Sequence, residues 1–117
     1  MIGGIYASLS GLAAGQTKVV TAAHNTANAN TEGFKKQRVL FQEVEPQGVE
    51  ATIDTVDTPG PVIFREGENG LVSTEQSNVD LAEEAVNLIL GQRLYEANLR
   101  ALEVQNETLG NVLDIRE

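Results

Sequence analysis

The sequence predicts a mainly α protein, with long N- and C-terminal helices packed as a coiled-coil hairpin around a small β-hairpin insert. Three observations predict it. Large apolar residues recur at alternating spacings of three and four near both ends of the chain. Turn-forming residues and short β-like runs are confined to the middle. Ala, Leu and Val supply most of the apolar content, whereas aromatics make up only 4% of the 117 residues and Trp is absent. That composition suits long packed helices better than a globular core built on large rings. The expected organisation is an N-terminal helical segment over 1–30, a turn and β insert over 31–76, and a C-terminal helical segment over 77–117.

The first element rests on Ile5, Leu9, Leu12, Gln16, Val19 and Ala23, which predict a helix over about 4–28. Its apolar stripe is thin and filled by alanines. Gly11 and Gly15 each weaken it by about 1 kcal/mol relative to Ala, so in isolation this helix is marginal in water. The Asn-rich stretch 25–34 then ends it, and Gly33 is the residue expected to take positive φ. Arg38–Val44, Val49–Val56 and Val62–Arg65 read as short strands. Pro46-Gln-Gly48, Thr58-Pro-Gly-Pro61 and Glu68-Asn-Gly70 read as turns. They are too few for a sandwich or barrel, so the insert must dock on the helices or on a neighbour.

The last element carries the strongest pattern. Leu81, Ala85, Leu88, Gln92, Tyr95, Leu99, Leu102, Asn106, Leu109 and Leu113 form an a/d seam, a helix roughly 50 Å long at the standard rise. Ser77 or Asn78 is expected to cap it. Asp80, Glu83 and Glu84 meet the positive end of its dipole, and Asp80 with Glu83 fits a variant capping box. Gly91 and Gly110 interrupt the pattern. Each is either an exposed weak point or a place where a neighbouring helix comes close. Val86, Ile89, Leu90, Val104 and Val112 widen the stripe beyond what one partner covers, which favours oligomers.

Charge and composition exclude several chemistries. The net charge is −9, which argues against nucleic-acid binding. It is divided as +3 over residues 1–38, −7 over 39–76 and −5 over 77–117, so N-terminal and C-terminal segments attract one another. With no Cys, disulfides, thiol catalysis and Cys-ligated zinc are excluded, and a single His argues against most metal sites and a Ser-His-Asp triad. His24 reads as a surface or capping residue, Glu66–Gly70 lacks the spacing of a calcium loop, and no phosphate loop or dinucleotide fingerprint occurs. No cofactor or metal site is expected, and the protein is not expected to be an enzyme. The apolar start, residues 1–15, lacks a positive leader region and is too short to span a bilayer, so neither a cleaved signal peptide nor membrane insertion is expected.

Two segments carry a resemblance. Asn25-Thr-Ala-Asn-Ala-Asn-Thr-Glu-Gly-Phe-Lys-Lys-Gln37 resembles the "NIANANTPGYKRQ" signature of the bacterial flagellar basal-body rod and hook axial proteins, and Ala7–Ala14 resembles the start of the same family. Ser77–Ile89 followed by Gln92–Asn98 resembles its C-terminal signature. Glu32 stands where the family has Pro, Thr26 where it has Ile, and Ala85 where it has Met. The resemblance implies subunits whose two terminal helices pack in the tubular core of a helical assembly, with a mechanical role and no reaction. It implies other axial proteins and further copies of the chain as partners, and export by the flagellar type III apparatus without a cleaved signal. It places the protein in the periplasm-spanning rod. The short insert is most similar to a small proximal rod protein.

On this reading the assembly interface comprises Leu9, Leu12, Val19, Leu81, Leu88, Tyr95, Leu99 and Leu102, with Asn98 offering an inter-helix hydrogen bond. Asn25, Asn28, Asn30 and Gly33 form the turn motif that orients the insert. Two other readings of the residues stand beside it: a soluble coiled-coil adaptor that forms a closed dimer, and a small hydrolase with two acids converging in a cleft.

Overall fold

A computed structural model describes residues 2–116. The elements follow in the order α1 (Ile2–Ala27), β1 (Gln37–Glu43), β2 (Val49–Thr55), β3 (Val62–Gly67), β4 (Gly70–Glu75) and α2 (Leu81–Arg116). The mainly α architecture with β between the helices is therefore present. The molecule is a rod of 83 × 23 × 16 Å.

The two helices lie antiparallel, and the residues between them are small or polar. Gly4 sits against Gln105, Gly11 against the Asn98 carboxamide, and Gly15 against the backbone of Gly91 and Tyr95. Ser8 Oγ donates to Gln105 Oε1 at 3.0 Å, and Asn25 reaches Glu84. The α1 positions that meet α2 are thus chiefly 4, 8, 11, 15, 18, 22 and 25; the first six each lie one residue before the apolar seam expected from the sequence, and of that seam Val19 reaches α2 at Gly91. On α2 they include 84, 91, 98 and 105, spaced by heptads. Glycines here have a physical task. A Cβ at Gly15 would stand 3.0 Å from the Tyr95 nitrogen, and one at Gly91 would stand 3.1 Å from the Val19 nitrogen. Small residues let the backbones approach, and dispersion between the main chains replaces interdigitated leucines. Gly91 is therefore a close-approach residue, whereas Gly110 faces open space.

This rotation corrects the expected seam. Leu9 is 45% exposed, Leu81 56%, Tyr95 40% and Leu99 41%. Leu12, Val19, Leu88 and Leu102 are half-buried at the edges of the contact. Ala14 and Ala22 are the buried hydrophobic residues among those described. Periodicity showed correctly which residues share a face, but that face is not the one α1 and α2 turn to each other.

The insert contains two antiparallel hairpins rather than one. In the first, β1 and β2 pair from Gln37↔Thr55 to Glu43↔Val49, and the hairpin lies on α1. The Val49 amide donates to Ser10 Oγ at 3.1 Å, and Lys18 Nζ stands 5.5 Å from the centre of the Phe41 ring. In the second, β3 and β4 pair from Val62↔Glu75 to Gly67↔Gly70. The sequence marked β3 and its turn but not β4, because Leu71 and Val72 are adjacent and show no alternation. Pairing with β3, not local pattern, makes Gly70–Glu75 a strand.

The start of α2 also differs from expectation. Asp80 is the cap: its Oδ1 accepts from the Ala82 amide at 3.0 Å. Ser77 Oγ instead accepts from the Val79 amide at 3.2 Å, and Asn78 is turned to the insert. The reciprocal arm of a capping box is absent, because Glu83 pairs with Lys36 Nζ at 3.1 Å.

Candidate functional site

Two features stand out for function: a polar junction that fixes the insert to the helices, and an apolar face left uncovered.

The junction is built on two asparagines that flank one stretch of main chain. Asn25, 1% exposed, accepts from the Gln37 amide at 2.9 Å and donates to the Gln37 carbonyl at 2.7 Å. It thereby closes α1 onto the first residue of β1 as a neighbouring strand would. The same Nδ2 donates to Glu84 Oε1 at 3.1 Å. Asn78 does the complementary work from the other side. Its Oδ1 accepts from the Lys36 amide at 2.6 Å, and its Nδ2 donates to the Val56 and Thr58 carbonyls at 2.8 and 2.9 Å. Two side chains from the ends of the two terminal segments therefore hold consecutive amides, so the insert cannot rotate freely on the helices.

Glu84 completes the junction and is 2% exposed. Its Oε2 has no hydrogen-bond partner among the described residues. Burial pushes its carboxyl above the usual range, and neighbouring Glu83 adds to this; the Asn25 and Asn87 amides and the Lys36 charge oppose it. Its place in the first turn suggested a solvated dipole partner, but the structure puts it inside. It lines a cleft of about 110 Å³ with Lys18, Arg38 and Asn87. Glu83 turns outward to Lys36 instead, so the two acids do not converge on a shared substrate position. Among the described residues no group of three or more His, Cys, Asp and Glu is placed to hold a metal.

Asn28, Thr31 and Gly33 shape the turn. Asn28 Nδ2 donates to the His24 carbonyl at 2.9 Å and its Oδ1 accepts from Thr31 Oγ1 at 3.1 Å. Gly33 has φ +69°, as expected, and its amide donates to the Glu75 carbonyl at 3.0 Å. Asn30 is exposed and makes no hydrogen bond among the described residues, so it does not share this work. His24 meets the Phe34 ring edge-on, with centroids 5.5 Å apart. At the base of the second hairpin, Glu75 Oε1 takes the Lys35 ammonium and the Gly60 amide, and these hold its carboxyl below the usual range.

The uncovered face lies across the helix pair from the first hairpin. At 100° per residue, Ser10, Ala14 and Thr17 fall on one side of α1 and Leu9, Leu12, Gln16 and Val19 on the other. The first set meets Val49–Ala51 of β2. From the second set, Gln16 and Val19 line a groove of about 500 Å³ with Leu88, Gln92 and Tyr95 of α2. The two leucine stripes thus come together on one face, although they do not pack on each other. Asn98 does not bridge the helices by a hydrogen bond: its Nδ2 donates to the Leu94 carbonyl of its own helix at 2.8 Å. Sequence reasoning missed Asn78 and Glu84 as junction residues. Their signal was position: Glu84 lies seven residues before Gly91, at the heptad position that faces α1.

Fold and surface define a class: an elongated subunit whose terminal helices pair through small residues and whose large apolar residues face outward. The comparisons identify the family. Residues 5–35 match the flagella basal body rod protein family, and residues 72–115 match the flagellar basal body rod FlgEFG protein C-terminal family. The chain belongs to the flagellar rod and hook axial proteins. It is 33% identical over 89 residues to the flagellar hook protein FlgE of Salmonella typhimurium and 40% identical over 89 residues to that of Escherichia coli, in each case 75% of this chain and 21% of the relative. It is 34% identical over 88 residues to the flagellar basal-body rod protein FlgG of Caulobacter vibrioides, which is 62% of this chain and 34% of that protein. The chain spans between about a fifth and a third of the length of these relatives. No helix among the described residues is long and apolar enough to cross a membrane.

Proposed function

We propose that this chain is a structural subunit of the flagellar basal-body rod that assembles with itself and with other axial proteins to form the torque-transmitting shaft. The observation that carries the reading is the uncovered leucine face. A chain with 41% apolar residues that leaves Leu9, Leu81, Tyr95, Leu99 and Leu113 between 40% and 56% exposed needs neighbours to bury them. Leu9, Leu12, Val19, Leu81, Leu88, Tyr95, Leu99 and Leu102 are the residues assigned to those contacts, which take coiled-coil form between subunits. The insert is short beside the longer hook and rod relatives, which supports a position in the proximal rod. Export through the flagellar type III apparatus without a cleaved signal accompanies this reading.

The test is retention of the chain in purified hook–basal bodies after detergent and acid washing, detected by mass spectrometry. Retention supports an axial subunit. Absence, with the chain recovered as a closed dimer, refutes it and favours a soluble adaptor.

A further inference from the structure

We propose that Lys18 is a two-position ammonium: it rests on the Phe41 ring while the Glu84 carboxyl is protonated, and it crosses to Glu84 Oε2 once that carboxyl ionises. The device couples the first hairpin to the helix junction. It lies within one chain and does not depend on the axial reading above.

Two groups with a bond to spare line one cleft. Glu84 is 2% exposed; its Oε1 accepts from Asn25 Nδ2 at 3.1 Å, and its Oε2 has no hydrogen-bond partner among the described residues. Lys18 is half-buried on α1. Lys35 and Lys36 each hold a carboxylate, whereas Lys18 meets none among the described residues. Lys18 and Glu84 share the walls of the cleft of about 110 Å³ with Thr21, Gln37, Val39 and Asn87. That volume is roughly that of four waters, so an ammonium on a flexible four-carbon stem spans it by changing rotamers. Its resting place is fixed by β1. Gln37, Val39 and Phe41 alternate onto one side of the strand. Asn25 holds Gln37 at one end of that side, and Lys18 Nζ stands 5.5 Å from the Phe41 ring centre at the other, within cation–π range.

The other charged groups around Glu84 are engaged elsewhere. On α2, Glu83 turns to Lys36 Nζ at 3.1 Å, and Asp80 caps the helix at the Ala82 amide. On β1, Arg38 gives its Nε and Nη2 to Asp54 Oδ2 of β2 at 3.0 and 2.7 Å. Lys18, from α1, is the cation of the cleft with no carboxylate to give up. While Glu84 keeps its proton, it places no charge in the cleft, and the electron-rich face of Phe41 holds the ammonium. On ionisation the proton leaves to solvent and Lys18 stays charged. The ammonium then exchanges a ring that is 44% exposed for a buried carboxylate oxygen. A charge-assisted hydrogen bond is about twice as strong as a neutral one, and a buried charge left unpaired is costly, so the exchange favours Glu84. Phe41 loses its cation as the junction gains one. The grip of the first hairpin on α1 thereby shifts from Phe41 toward Gln37.

The test is a pH titration by NMR of the full chain carrying ¹³C-labelled Glu and Lys, at a concentration where sedimentation shows monomer. The Lys18 ε-protons are expected upfield at low pH, from the Phe41 ring current, and to lose that shift with the same midpoint as the Glu84 carboxyl carbon. In Glu84→Gln they are expected to stay upfield throughout. Lys18→Met keeps the stem and a soft contact with the ring but removes the charge, so Glu84 should titrate at higher pH than in the wild type. Lys18→Arg should restore the wild-type midpoint. Phe41→Leu removes the resting place, which frees the ammonium for Glu84 and should move the midpoint the other way, to lower pH. A general loosening of the fold does not produce opposite shifts from the two sides of one contact. Lys18 signals that ignore Glu84 ionisation, or a Glu84 midpoint that is the same in wild type and Lys18→Met, overturn the proposal. If Glu84→Gln does not fold, coincidence of the Lys18 and Glu84 midpoints in the wild type still decides it.

Discussion

Placing a methyl group at Gly15, Gly91 and Gly110 tests how the helices meet. Each Gly→Ala change raises helix propensity by about 1 kcal/mol. At Gly110 nothing lies within 4 Å of the new Cβ, so that gain stands alone. At Gly91 the Cβ lands 2.8 Å from Val19 Cγ2 and 3.1 Å from the Val19 nitrogen. The Val19 methyl can rotate away, but the nitrogen cannot without moving the helix. At Gly15 the nearest atoms are the Tyr95 nitrogen at 3.0 Å and the Gly91 carbonyl oxygen at 3.2 Å, both main chain. Overpacking of this kind costs about 1–3 kcal/mol. After subtracting the propensity gain, Gly91→Ala is expected to be neutral to about 1 kcal/mol destabilising, and Gly15→Ala about 1–2 kcal/mol destabilising. Gly110→Ala is expected to stabilise by about 1 kcal/mol. The assay is urea unfolding followed by far-UV circular dichroism, at a concentration where sedimentation shows monomer. Equal stabilisation by all three variants would refute the close approach of α1 and α2 at Gly15 and Gly91.

Other variants probe the junction and the exposed face. Asn25→Ala strips partners from the Gln37 amide and carbonyl and from Glu84 Oε1, with an expected loss of about 2–4 kcal/mol in the same unfolding assay; a loss below half that range speaks against the bridge. Glu84→Gln tests the buried carboxyl through pH. Its folded-state pKa is raised above the ordinary 4.5, so its stabilising contribution is complete below 4.5 and disappears as pH rises through the raised value. The neutral variant should therefore gain on the wild type with increasing pH, and a difference that is flat between pH 4 and 8 rejects the assignment. Gly33→Val keeps free space around the side chain but places a β-branched residue at φ +69°, for an expected loss of about 1–3 kcal/mol and a misdirected insert; unchanged stability and assembly count against it. Leu88→Asp should give a soluble, folded monomer that fails to enter assemblies, and normal incorporation into hook–basal bodies would remove Leu88 from the interface.

The sequence by itself determined the helical termini, the positive φ of Gly33, the turns and the large apolar residues that share each stripe. These follow from local rules: the 3.6-residue turn places side chains on faces, and chain stereochemistry selects glycine at a left-handed position. The two terminal motifs also carried the family resemblance, because they are contiguous in the chain. Tertiary structure decided which face meets which partner. The helix contact joins residues as distant as Ser8 and Gln105, 97 apart in sequence. There the closest backbone approach uses Gly15 and Gly91, and buried amides and a carboxyl occupy positions that a leucine pattern predicts for neither helix. The same holds for β4, a strand only because β3 pairs with it, and for Asn78, which reads as a cap until the main chain of Lys36 lies beside it. Local patterns give each element its faces. The choice among those faces depends on how closely two backbones can approach and which polar groups they can satisfy across the contact.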